Sequence, residues 1–234
     1  FDEGSGTTVA DSSGKGNGGT TANTTWAATG KFGRALSFNG SSSRVTVPNS
    51  SSLQLTTGMT LETWVYPTSV TSAWRDVIYK GDDNYWLEGT SSLTSAGPPS
   101  GGASLAGTWT TATGTTGLPV NTWSYIAVTY DGANIRLYVN GTLVATQAKT
   151  GTITTSTNPL EIGSDHIYAQ YWAGMIDEVR IYNTPLSATQ IQTDMSTPVG
   201  TGSPADTTPP SAPGTLTATA TSSARAGATA ATTG

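Results

Sequence analysis

The chain has 234 residues, carries a net charge of −5 at pH 7, and only 11% of its residues are charged. It has no basic stripe to displace counterions from phosphates, which argues against nucleic acid as a partner. No apolar run approaches the roughly 20 residues a bilayer span needs, and the absence of cysteine excludes disulfides and thiolate metal sites.

The first notable stretch is DSSGKGNGG at 11–19, where Gly14, Gly16 and Gly19 reproduce the G-x-G-x-x-G spacing of a dinucleotide-binding loop. That fingerprint needs a buried strand before it and a helix after it, whereas TTANTTW follows here with no helical period. An EF-hand fails as well, because Ser13 and Lys15 occupy the third and fifth positions counted from Asp11 and no glutamate follows at the twelfth.

Downstream, apolar residues alternate with polar ones in short runs: ALSF, RVTV, MTLETWVY, RDVIY, YWLE, WSYIAVTY, NIRLYV, LVAT, PLEIG and MIDEVRIY. Runs rich in Val, Ile, Thr and aromatics, bounded by Gly, Asn and Asp, predict strands. Asp131-Gly132 and Asn140-Gly141 separate three of them and suit type I′ hairpins, predicting an antiparallel meander. Only Leu186 to Met195 invites a short turn of helix, with Ser187 and Gln190 spaced as a capping box. The predicted fold is therefore an all-β, two-sheet antiparallel jelly-roll sandwich. A Pro/Thr/Ser/Gly segment at 196–211 reads as a linker. The opening of 212–234 resembles the first strand of a fibronectin type III module, and this segment is expected to be an incomplete, largely disordered remnant.

FDEGSGTTVADSSGKGNGG, Trp26, GKFGRALSFNG, RVTVP, TLETWVYP, NTWSYIAVTYDGANIRLYVNGTLVA, LEIG and GMIDEVRIYNTPLSATQIQ succeed one another in an order that resembles LamG-like jelly-roll domains. These belong to the concanavalin A-like lectin/glucanase superfamily, and the resemblance covers residues 1 to about 195. It implies two sheets, core positions for Trp26, Trp64 and Trp123, and a structural Ca²⁺ held by Asp11, Asn17, Asp177 and loop carbonyls, with Asp2 and Glu3 in reserve. The hard oxygen donors of such a set suit Ca²⁺.

The remaining aromatics define a second candidate site. Trp74, Trp86, Trp109, Tyr168 and Tyr171 could offer flat faces to sugar rings, with Arg75, Asp76, Asp82, Asp83 and His166 nearby to bond hydroxyls. Trp172, directly before AGMIDEV, is expected to close the sandwich. Catalysis lacks a signature: neither the paired-carboxylate E-x-D-x-x-E of related glucanases nor a G-x-S-x-G elbow occurs. The expectation is a secreted, monomeric, non-catalytic carbohydrate-binding module excised from a larger bacterial polysaccharide-degrading protein. The alternative is an adhesion or protein-interaction module without a sugar site.

Overall fold

Fifteen strands and one α-helix form in the described part of the chain, residues 1–200 of a computed structural model. The fibronectin-like remnant at 212–234 and all but the start of the linker at 196–211 lie outside the described residues. The ten runs with alternating pattern become β4 (Ala35–Asn39), β5 (Arg44–Val47), β6 (Met59–Pro67), β7 (Arg75–Lys80), β8 (Tyr85–Thr90), β11 (Ser124–Tyr130), β12 (Asn134–Val139), β13 (Thr142–Ala148), β14 (Leu160–Ile162) and β15 (Ala173–Tyr182). Five strands have no alternation strong enough to read beforehand: β1 (Thr8–Val9), β2 (Gly19–Ala22), β3 (Thr25–Ala27), β9 (Ser100–Leu105) and β10 (Thr108–Thr113).

They assemble into two antiparallel sheets, ordered β1-β2-β5-β14-β7-β8-β9-β10 and β13-β12-β11-β6-β15-β4-β3. Strand periodicity sends alternate side chains to opposite faces. Thus Ile126, Val128, Leu61 and Val65 of the seven-stranded sheet meet Ile78, Leu87, Ala103 and Leu105 of the eight-stranded sheet in one hydrophobic core. Trp172 is fully buried in this core and Trp26 packs at its margin.

The other face of the seven-stranded sheet carries Trp64, Tyr125, Ala127 and Tyr138, covered by Ile191 of α1 (Ala188–Ser196) and bordered by Trp123. The capping box forms as spelled, with the Ser187 side chain accepting from the Gln190 N–H and the Gln190 side chain accepting from the Ser187 N–H. Because this cap is joined by apolar contact with the sheet, α1 runs nine residues rather than a single turn.

The meander also forms, but its two turns differ. Asn140 and Gly141 both take positive φ, as a type I′ turn requires. At the other turn Asp131 keeps ordinary φ and its carboxylate accepts the N–H groups of Ala133 and Asn134, giving a three-residue connection with only Gly132 left-handed.

Candidate functional site

At one end of the eight-stranded sheet, β7, β8, β9 and β10 lie side by side with their registers aligned across the strands. Tyr79 pairs with Trp86, Trp86 with Gly102, and Gly102 with Thr111, so these four share one row on one face. The neighbouring row is Asp76, Glu88, Ser100 and Thr113. Between the rows, Leu87 and Ala112 flank Gly101 and point the opposite way into the core.

Gly102 is what lets the first row accept a large ring. A Cβ there would stand 2.6 Å from Trp86 Cζ2 and 2.2 Å from the Thr110 carbonyl oxygen. The missing side chain makes room for the Trp86 indole to lie beside β9 and keep only its edge in solvent.

Above this face opens a cleft of about 270 Å³. Its aromatic walls are Trp74, Tyr79, Trp86, Trp109 and Tyr168, and its polar groups come from Asp83, Glu88, Thr111 and Gln170. Trp109 is 68% exposed and Tyr168 46%, large values for rings of their size. Tyr168 is held over the cleft by its hydroxyl, which reaches Asp82 Oδ1 at 3.4 Å and Asp83 Oδ2 at 3.3 Å on the turn between β7 and β8. The same turn is fixed from below, where the Asp83 N–H donates to the Tyr79 hydroxyl at 3.0 Å. A second, adjoining depression shares Trp74, Trp109 and Thr111 and extends the surface towards Leu93 and Lys149.

Of the residues singled out from sequence, Trp74, Asp83, Trp86, Trp109 and Tyr168 come together in the cleft, whereas Arg75, Asp82 and Tyr171 do not line it. Asp76 is also absent from the wall: it shares the face of Glu88 but is only 1% exposed, buried deeper in the structure. His166 turns to Glu161, whose Oε2 accepts its backbone N–H at 2.7 Å and lies 3.1 Å from its ring Nδ1, so it acts as a loop hydrogen-bonder.

The cleft residues that sequence reasoning missed are Tyr79, Glu88, Thr111 and Gln170. Tyr79 and Glu88 could have been found by pairing β7 with β8 across their turn, since Tyr79 then falls opposite Trp86.

The carboxyl groups near this face are unusual. Asp76 is buried against Asp165, with whose carboxyl it shares a hydrogen bond, and no N–H or hydroxyl reaches its oxygens. Burial, followed by the negative neighbours Glu88 and Asp165, pushes Asp76 well above the ordinary carboxylate range. Glu88 accepts a hydrogen bond from Ser100, yet burial still pushes it up to about 8. Burial also raises Asp83.

The residues expected to hold calcium are arranged differently. Asp11 Oδ2 accepts the Asn17 N–H at 2.8 Å and its Oδ1 accepts the Ser13 N–H at 2.9 Å, while the Asn17 side chain bonds Ser50 and Ser52. Asp177 is engaged by other groups: its Oδ2 accepts from Lys31 and Phe32 N–H, and its Oδ1 from Glu178 N–H, with the terminal amine of Phe1 3.5 Å away. Backbone N–H groups thus donate to both carboxylates. Asp2 is likewise occupied by the Arg34 N–H and Glu3 by the Ala10 N–H. A bulge at Glu178, where φ is 58°, breaks the alternation of β15 and buries Asp177 and Glu178 together.

A family model described as the concanavalin A-like lectin/glucanases superfamily matches residues 39–192. The chain belongs to this superfamily. Among solved structures it is similar to domain 4 of AbnA, a GH43 extracellular arabinanase from Geobacillus stearothermophilus, determined in complex with arabinotriose. That match has 22% identity, a TM-score of 0.59, and coverage of 74% of this chain and 81% of that one. It is also similar to the binding domain of botulinum neurotoxin serotype G at 16% identity and a TM-score of 0.59, covering 77% of this chain and 46% of that one. A third similar structure is the binding domain of Paraclostridial Mosquitocidal Protein 1, at 12% identity and a TM-score of 0.56, with 75% and 44% covered. The chain thus spans less than half the length of the two toxin structures. No curated protein sequence matches it. At these identities the solved structures establish the shared fold of this superfamily member.

Proposed function

We propose that the domain is a non-catalytic carbohydrate-binding module of an exported bacterial polysaccharide-degrading protein, and that the cleft between β7 and β10 is its sugar site. The observation that carries the reading is the convergence of Trp74, Trp86, Trp109, Tyr79 and Tyr168 around a few polar groups on one open sheet face. Flat aromatic faces match the C–H faces of pyranose or furanose rings, while Gln170, Thr111 and carboxyl oxygens can bond hydroxyls, the usual make-up of a small-ligand site. The arabinotriose bound to domain 4 of the arabinanase supports the same use of the fold.

Linked to a catalytic domain through a Pro/Thr-rich segment such as 196–211, the module would raise the local concentration of that domain on its polymer. Structural calcium stays in the proposal on the donor chemistry of Asp11, Asn17 and Asp177 alone. A melt in EDTA checks it: a lowered melting temperature restored by Ca²⁺ supports the ion, and an unchanged melt removes it.

Binding is tested by a glycan array followed by calorimetric titration of wild type and Trp109→Ala. Selective binding of an oligosaccharide, weakened at least tenfold by the substitution, is expected. No binding to any glycan, or binding indifferent to Trp109, would favour an adhesion module without a sugar site.

A further inference from the structure

The cleft combines aromatic walls with an acidic floor, and its wall contains no Lys, Arg or His. Glu88 and Asp83 reach it directly. Asp76 sits beside Glu88 in the register of the sheet, nine-tenths and more buried, and shares a hydrogen bond with the carboxyl of Asp165. A neutral sugar explains the rings but makes no particular use of the two acids, Glu88 and Asp83, in a wall without a basic residue. Resting on the carbohydrate reading above, we propose that the cleft selects a sugar bearing a protonated amine, with the ammonium seated between the aromatic faces and the carboxylates of Glu88 and Asp83.

Two features favour an organic ammonium over a metal ion. Among the described residues no group of three or more His, Asp or Glu side chains is placed to hold a metal. The walls are indole and phenol rings, which attract an alkylammonium through their π faces by about 0.5 to 2 kcal/mol, whereas a metal ion requires converging oxygens. Burial first, and behind it the mutual repulsion of the carboxyls, raises Asp76, Asp83 and Glu88, and a bound cation favours their charged forms. Asp76 acts through Glu88 as a positioning residue, because it does not line the cleft.

The test compares a β-1,4-linked glucosamine tetramer with its fully N-acetylated counterpart and with arabinotriose by calorimetric titration at neutral pH. The free-amine tetramer is expected to bind at least tenfold more tightly than the N-acetylated one. Glu88→Gln should erase that preference, bringing the free-amine tetramer down to the affinity of the N-acetylated one or below. Asp83→Asn, on the half-buried turn, serves the same purpose should Glu88→Gln fail to fold. Equal or tighter binding of the neutral sugars would overturn the amine selectivity and leave the carbohydrate reading standing. Failure of all three sugars and of every glycan on the array would overturn both. Amine preference that survives Glu88→Gln and Asp83→Asn would show attraction to the net negative surface instead, and a dependence on added Ca²⁺ abolished by EDTA would assign the carboxyls to a metal.

Discussion

The two outward faces of the sandwich carry similar chemistry and put it to different uses. On the seven-stranded sheet, Glu62 is fully buried between Asp194 and the Tyr125 hydroxyl, and burial followed by its hydrogen bond with Asp194 pushes it up to about 9. Around it lie Trp64, whose ring centroid is 5.2 Å from that of Tyr125, and the apolar side of α1. On the eight-stranded sheet, Glu88 and Asp76 occupy a comparable setting beside Trp86 and Tyr79, but no helix covers them. Aromatic rings above buried acids are therefore a feature of both faces, and only the uncovered one can meet a ligand. Cover, rather than composition, separates the structural aromatics from the functional ones.

Substitutions can break this contrast in both directions. The largest effect is expected from Trp64→Ala, which empties a buried site under α1 and should cost about 3 to 5 kcal/mol of stability in a denaturant melt without altering the affinity of the folded fraction. Trp109→Ala is its opposite: a ring 68% exposed can be removed with a stability change of about 0.5 kcal/mol or less, while sugar affinity falls. Gly102→Val forces a side chain against Trp86 and the Thr110 carbonyl, and a loss of about 1 to 3 kcal/mol is expected together with weakened binding. Stability loss with unchanged affinity would show that Trp86 has no part in the cleft.

The covered acid makes a pH prediction. The folded carboxyl of Glu62 titrates near 9 against an ordinary value of 4.5, so between these values the folded state holds a proton that the unfolded chain has released. Its contribution is fully present below 4.5 and is lost as the pH rises through about 9. Glu62→Gln should flatten the decline of stability across that window by up to about 1.4 kcal/mol per pH unit, and an unaltered slope would contradict the assignment. A modest effect is expected at Ser187→Ala, which removes the cap of α1 and should cost about 1 kcal/mol with sugar binding untouched.

Much of the sandwich was legible because alternation and turn dipeptides mark strands locally. The cleft was legible only in part. Its aromatics stand out singly, yet β9 and β10 read as SGGASL and TWTTAT, segments with too few apolar side chains to show a strand period. The reason lies in packing: a Cβ at Gly101 would come within 2.8 Å of Val128 on the opposite sheet, and one at Gly102 would strike Trp86. Close approach on both faces of β9 demands glycine where a strand signal would need Val or Ile. Hence Trp109 looked like a loop residue, and the alignment of Tyr79, Trp86, Gly102 and Thr111 could emerge only from inter-strand register. The loop 11–19 posed a different difficulty, because whether its carbonyls or its N–H groups point inward is a matter of backbone geometry that residue types do not fix.

The most direct measurement follows the seven indole N–H signals by NMR while oligosaccharide is added. The account predicts that Trp74, Trp86 and Trp109 shift in a saturable manner while Trp64 and Trp172 remain in place. Shifts confined to Trp64 and the α1 face, or no shift with any of the sugars that the array nominates, would contradict it.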